Sequence, residues 1–189
     1  PNSRHLQYAS AMRIACAGSH RVGKSTLVSA LAEQLAKHSI VDEPYYVLEE
    51  DGYEFSNPPL LEDFEAQLER SILETLEGSP NVVFDRCPAD ILAYLRRHDD
   101  AAHFDFDEGC ERSREAMQTL DLVVVVPIED DDRIAVHHDQ EFRLAVDEEV
   151  HRLLVDDEVG FGVDVVVVSG DAETRLAQVL AHIRNHHDV

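Results

Sequence analysis

Nine consecutive residues near the start of the chain have the types and the spacing that bind phosphate. They run from 18 to 26 as GSHRVGKST and match the pattern G-x-x-x-x-G-K-[ST]. Gly18 and Gly23 let the chain bend so that successive backbone N–H groups point at phosphate oxygens. Lys24 can reach the β- and γ-phosphates and assist catalysis, and the Ser25 hydroxyl can bind Mg²⁺. We therefore expect this loop to bind ATP or a similar triphosphate with Mg²⁺. The predicted binding residues are Gly18, Ser19, His20, Arg21, Val22, Gly23, Lys24, Ser25 and Thr26.

A second candidate for chemistry is the pair Asp85-Arg86, which follows the apolar run 82–84. If that run is a strand of a parallel sheet, its carboxyl end lies beside the phosphate loop. Asp85 could then hold Mg²⁺ through water, or accept a proton from the hydroxyl of an acceptor. The same aspartate could instead cap the following helix, where Asp is a preferred residue. The pattern predicts a catalytic or metal-binding role and leaves a structural one open.

Apolar runs alternate with helical spacing along the chain, and this pattern predicts the elements that position these residues. Successive strands separated by helices form βαβ units, in which a parallel sheet has both faces covered. We therefore predict a three-layer α/β fold of the P-loop NTPase type, with a five-stranded parallel sheet in a single domain over 12–189. Residues 1–11 are expected to be a disordered extension or an expression-tag remnant. The predicted strands are 13–17, 45–48, 82–84, 122–126 and 163–168.

The composition restricts the partners. The net charge is −23, and only Lys24 and Lys37 are lysines among the 16 basic residues. Such a surface repels nucleic-acid phosphate and anionic lipid, so neither is expected as a partner. The chain has no apolar run long enough to span a membrane, and no secretory leader is visible. Its three cysteines are odd in number and widely spaced, which fits a reducing cytoplasm.

The residues around Asp85 exclude two large classes of phosphate-loop protein. Switch GTPases have D-x-x-G at this point, whereas this chain has D-R-C-P, and no N-K-x-D motif for guanine occurs. Motor-type ATPases usually have consecutive acids there, and Arg86 replaces the second one. The remaining large class is the small-molecule kinases, with adenine as the expected base of the donor.

The segments GSHRVGKSTLVSALA and VVFDRCPADILAYL resemble the nucleoside and nucleotide kinase branch of P-loop proteins. They look most like AAA-domain ATP-binding proteins related to nicotinamide riboside kinase, and the D-R pair is also similar to that of thymidylate kinases. The resemblance covers roughly 12–183 in element order, with specific matches at 18–26 and 85–95. It implies that Asp85 serves Mg²⁺ or the acceptor, and that Arg86 holds the acceptor or a phosphate.

Further charged residues are weaker candidates. In deoxynucleoside kinases an acid at the end of the second strand takes the proton of the acceptor hydroxyl, which would implicate Glu49 or Glu50. Arg133 and Arg143 flank a polar stretch where such kinases carry a lid, and an arginine there could stabilise the transferring phosphate. Each of these residues could equally be a solvated surface charge.

Three more residues have weaker signals still. Arg175 follows the fifth predicted strand, near where adenine is usually held, but an exposed helix position is the simpler interpretation. His182 and His186 lie one helical turn apart and could bind a metal, although a solvated helix explains them as well.

These observations together predict an enzyme that transfers phosphate from ATP, with Mg²⁺, to a small nucleoside- or nucleotide-like acceptor. One alternative is a regulatory ATPase that acts on a protein partner. A nucleotide binder without turnover is disfavoured because Lys24, Ser25 and Asp85 are all present.

Overall fold

Five short segments form one parallel sheet in the computed structural model, which describes residues 11–35, 37–129 and 139–186. The strand order is β2-β3-β1-β4-β5, so the first strand lies in the centre. This confirms the predicted five-stranded parallel sheet. Arg133 and residues 1–10, which are most of the predicted extension, lie outside the described residues. The strands are β1 Arg13–Ala17, β2 Ser39–Val41, β3 Val82–Asp85, β4 Leu122–Val125 and β5 Val165–Val167.

Helices cover both faces of this sheet. Side chains alternate along β1, so that Ile14 and Cys16 pack with α1 and α7 on one face, while Ala15 and Ala17 face the other helices. The result is the predicted three-layer fold. No helix in the described ranges is long and apolar enough to cross a membrane. The helices are α1 Lys24–Gln34, α2 Pro44–Glu50, α3 Leu61–Glu77, α4 Pro88–Arg97, α5 Phe106–Gln118, α6 Gln140–Val150 and α7 Ala172–His186.

The strand register brings the two sequence motifs together. Cys16 of β1 is paired with Asp85 of β3, and Ala17 is paired with Val125 of β4. The backbone N–H of Arg86 donates to the Cys16 carbonyl at 3.0 Å. The phosphate loop and the Asp85-Arg86 pair therefore leave the sheet side by side at its carboxyl edge.

The predicted second strand at 45–48 is wrong. These residues lie in α2, and β2 is Ser39–Val41 instead. Tyr45 and Val47 suggested a strand because such residues favour sheets, but Pro44 is suited to the first turn of a helix and α2 begins there. The true strand is a three-residue edge strand whose first two residues are exposed, so it carries little apolar signal.

Candidate active site

The phosphate loop between β1 and α1 has a shape that requires its two glycines. Gly18 has φ 146°, and a Cβ atom there would lie 2.3 Å from the Val126 carbonyl oxygen. Gly23 has φ 93° and immediately precedes the first residue of α1. Any side chain at these positions would change the path of the loop, because the backbone is left-handed at Gly23 and crowded at Gly18.

Lys24 is the first residue of α1 and is only 5% exposed. Its Nζ donates to the Ser19 carbonyl at 2.8 Å. Burial, together with the nearby Arg86 charge, lowers the pKa of Lys24 to about 8, against the opposing effect of nearby carboxylates. A bound phosphate would stabilise this buried ammonium in place of the water molecules that solvate an exposed lysine.

Ser25 and Asp85, the two residues predicted to bind magnesium, lie close together. The Ser25 hydroxyl is close enough to the Asp85 carboxylate to lower the pKa of that carboxyl, which partly offsets the burial that raises it. The carboxylate oxygen Oδ1 is buried and has no hydrogen-bond partner among the described residues. A hydroxyl beside a carboxylate oxygen without a partner fits the oxygen ligands that Mg²⁺ takes at nucleotide sites.

Arg86 connects three parts of the site. Its backbone has φ 97°, a left-handed conformation that is uncommon for arginine. The guanidinium donates to Glu43 Oε1 at 2.5 Å, to Asp90 Oδ2 at 2.9 Å and to the Gly18 carbonyl at 3.3 Å. It also lies over the ring of Tyr94, 5.0 Å from the centroid. Arg86 therefore contacts two carboxylates, the loop backbone and the ring of Tyr94.

Glu43 is the site residue that sequence reasoning missed. It lies two residues after β2, and burial tends to raise its pKa, but Arg86 and Lys24 outweigh that effect and lower it. Glu43 is thus held as a carboxylate beside the phosphate loop. The sequence does contain a signal for it: Glu43 directly precedes Pro44, and a proline there is typical of the first turn of a helix. An acid in that position lies at the start of a helix, whereas Glu49 was sought at the end of a strand.

Glu49 and Glu50 do not occupy the position predicted for them. Both are exposed at the end of α2 and follow no strand. Glu49 is six residues past Glu43, about 9 Å further along the helix. The acid that contacts Arg86 after the second strand is Glu43.

Arg143 lies beside the loop. It is fully buried, and its Nε and Nη2 donate to the His20 carbonyl at 3.2 and 3.1 Å. The His20 ring lies between Asp139, at 2.7 Å from Nε2, and the Tyr94 hydroxyl, at 3.3 Å from Nδ1. The N-terminal end of α6 is therefore attached to the phosphate loop through both the backbone and the side chain of His20.

Arg175 is also at the loop and is not an exposed helix residue. Its Nη1 donates to the Val22 carbonyl at 2.6 Å, and its Nη2 lies 3.4 Å from Glu129 Oε2. It borders a pocket of about 450 Å³ next to the loop. The pocket is large enough for a nucleobase. Its walls include Arg21, Gly23, Pro127, Glu129, Asp171 and Arg175.

The remaining candidates have structural explanations. His182 lies 2.7 Å from Asp164, and its ring stacks on His186 with centroids 4.2 Å apart. No group of three or more His, Cys, Asp or Glu side chains that could hold a metal ion occurs among the residues that the structure describes. Burial raises the pKa of Cys87 to about 12, so its thiol is not a nucleophile at neutral pH.

Comparison with known proteins identifies the family of the chain. A family model described as an AAA domain matches residues 13–175. The chain belongs to this AAA-domain family. No curated protein sequence matches the chain significantly.

Solved structures of small-molecule kinases share the fold of this AAA domain. A NadR protein in complex with NR is 20% identical, with a TM-score of 0.69, and the match covers 95% of this chain and 51% of that one. The chain thus spans about half the length of NadR. Deoxyadenosine kinase from M. mycoides is 14% identical over 92% of this chain and 99% of that one, with a TM-score of 0.62. Thymidylate kinase from Candida albicans is 15% identical over 93% and 92% of the two chains, also with a TM-score of 0.62.

Proposed function

We propose that this AAA domain is a kinase that transfers the γ-phosphoryl group of ATP, with Mg²⁺, to a small nucleoside- or nucleotide-like acceptor. One observation supports this most strongly. A second acid, Glu43, is held through Arg86 beside the phosphate loop and is separate from the Ser25–Asp85 pair. A protein that only binds ATP needs the pair but has no use for a second ionised carboxylate bonded to an arginine beside it.

The donor side would consist of the loop, Lys24, Ser25 and Asp85. Loop N–H groups and the N-terminus of α1 would bind the phosphates, and Lys24 would exchange the Ser19 carbonyl for a phosphate oxygen. Ser25 and Asp85 would hold Mg²⁺, which when bound offsets the charge on the phosphate oxygens. The adenine would occupy the pocket that Arg175 borders.

The acceptor side would be organised by Glu43 and Arg86. Glu43 would accept a hydrogen bond from the acceptor hydroxyl and orient its oxygen toward the γ-phosphate. Phosphoryl transfer passes through a loose transition state, so orientation matters more than early removal of the proton, and a carboxylate of lowered pKa suffices. The rings of Phe64 and Tyr94 lie stacked, with centroids 5.5 Å apart, next to Arg86. Tyr94 is buried, but the Phe64 ring is only partly buried and could pack against an acceptor with a planar ring.

The experiment is a measurement of ADP formation from MgATP with a panel of nucleosides, nucleotides and nicotinamide riboside. We expect one acceptor class to raise ADP formation well above the basal rate and to yield a phosphorylated product by mass spectrometry. Lys24→Ala is the control and should abolish both signals. ADP formation that responds only to a macromolecule, with no phosphorylated small molecule, would favour a regulatory ATPase and overturn the proposal.

A further inference from the structure

Three alternate carbonyls of the phosphate loop, at Gly18, His20 and Val22, are each bonded to an arginine from a different part of the fold. Arg86, after β3, donates to the Gly18 carbonyl at 3.3 Å. Arg143 of α6 donates twice to the His20 carbonyl, at 3.2 and 3.1 Å. Arg175 of α7 donates to the Val22 carbonyl at 2.6 Å. We call these three side chains the arginine collar.

Because the peptide bond is planar, a hydrogen bond that fixes a loop carbonyl also fixes the N–H group of the same peptide. In a trans peptide the carbonyl of one residue and the N–H of the next point in opposite directions. An arginine that fixes the carbonyls of Gly18, His20 and Val22 therefore also fixes the following N–H groups on the opposite side. These are the N–H groups of Ser19, Arg21 and Gly23, in the stretch that would surround the phosphates.

Each arginine of the collar is itself held in place. Arg86 is bonded to Glu43 and Asp90, Arg143 to Gln140 at 3.2 Å, and Arg175 lies within 3.4 Å of Glu129. The collar residues have little exposure, with the Arg86 side chain at 4%, the Arg175 side chain at 12% and Arg143 at 0%. Their guanidinium groups are thus committed to the loop and its surroundings before any nucleotide binds.

We propose that Arg143 and Arg175, together with Arg86, are positioning residues that orient the phosphate loop through its backbone, so that its N–H groups are arranged for polyphosphate before the nucleotide arrives. This inference rests on the proposed function and deepens it. It assigns Arg143 to the loop carbonyl rather than to the transferring phosphate. Preorganised donors favour binding of an anion.

The variants that test the collar are Arg143→Gln and Arg175→Gln, and the matched control is Arg97→Gln. Arg97 binds buried Glu149 at 2.7 Å, in the last turn of α4 and away from the loop. Its loss should lower stability without affecting the loop. Arg143→Lys keeps the charge but loses the paired N–H groups, so it should rescue only part of any loss.

Two measurements use the whole chain and need no acceptor. The first is the affinity for inorganic tripolyphosphate by calorimetry, a probe that has no base and cannot contact the adenine pocket. We expect Kd to rise by about tenfold or more in Arg143→Gln and in Arg175→Gln, the scale of a lost charged hydrogen bond, and to stay within about twofold in Arg97→Gln. The second is the backbone order parameters in the ligand-free protein. At Arg21, whose N–H follows the His20 carbonyl, they should fall from about 0.85 toward about 0.6 in Arg143→Gln.

Unchanged order parameters in folded Arg143→Gln and Arg175→Gln would overturn the collar, as would tripolyphosphate affinities equal to that of the wild type. A variant that lowers only the turnover rate would show that its arginine contacts the phosphate directly, which also contradicts the proposal. If Arg143→Gln does not fold, Arg175→Gln decides alone. Tight tripolyphosphate binding without phosphorylation of any acceptor would support the role of the arginine collar and refute the proposed kinase activity.

Discussion

Replacing Lys24 with methionine should make the protein more stable while removing its function. The wild-type ammonium is almost fully buried, and its pKa is lowered from 10.5 to about 8, first by burial and then by the Arg86 charge. The difference is about 2.5 pH units, and each unit corresponds to about 1.4 kcal/mol, so the charged form destabilises the fold by up to about 3 kcal/mol. Methionine has a similar length and carries no charge, so Lys24→Met should recover most of that free energy.

The sign of the pH dependence follows from the same shift. Below pH 8 the lysine is protonated in both the folded and the unfolded states, so the full penalty is present at pH 7. Between pH 8 and 10.5 the unfolded chain binds more protons than the folded protein, so the stability contributed by this group rises with pH. The advantage of Lys24→Met over the wild type should therefore be largest at neutral pH and should disappear as the pH approaches 10.5.

The assay is urea unfolding of both proteins at pH 7 and at pH 9.5, with ATP calorimetry at pH 7. We expect a higher unfolding midpoint for Lys24→Met at pH 7, a smaller difference at pH 9.5, and a loss of about 2–4 kcal/mol in ATP binding. A lower midpoint for the variant at pH 7 would refute the reasoning, because the buried ammonium would then be stabilising. Unchanged ATP affinity would refute the assignment of the phosphate loop.

Three further predictions concern catalysis and the surface. Asp85→Asn should still bind ATP through the loop and Lys24, while acceptor-dependent turnover falls by about 10²-fold or more; wild-type turnover would mean that Asp85 is only structural. Glu43→Gln should lower kcat/KM for the acceptor by about 10²-fold, whereas Glu49→Gln should stay within about twofold in the same steady-state assay; equal effects would remove the role given to Glu43. Because the net charge is −23, raising NaCl from about 0.1 to 1 M should increase the free energy of unfolding by at least about 1 kcal/mol, measured by urea titration; a decrease would show that ion pairs outweigh the repulsion.

The phosphate loop and the central strands could be predicted from the sequence because each is a local signal. The loop is one contiguous motif, and the buried strands β1, β3 and β4 are short apolar runs. β2 could not be found in this way, since an edge strand of three residues with an exposed Ile40 lacks an apolar run. That error put Glu49 and Glu50 at the end of the second strand, where the structure has Glu43 close by instead.

The collar was beyond prediction for a different reason. Its bonds run from side chains to backbone carbonyls across large separations, from Arg143 to His20 and from Arg175 to Val22. Every residue has a backbone carbonyl, so no residue type or motif in the sequence marks a particular one as the acceptor. Sequence reasoning identified Arg143 as a charged residue near a possible lid, and only the fold shows which atom it contacts.

The most direct measurement of the central claim is phosphorus NMR of the protein with MgATP and the acceptor panel. The account predicts that the γ-phosphorus resonance is lost as a phosphate ester of one acceptor appears, with little inorganic phosphate, and that Asp85→Asn slows this conversion about 10²-fold. Conversion of ATP to ADP and inorganic phosphate alone, with no ester in the presence of any acceptor, would contradict it.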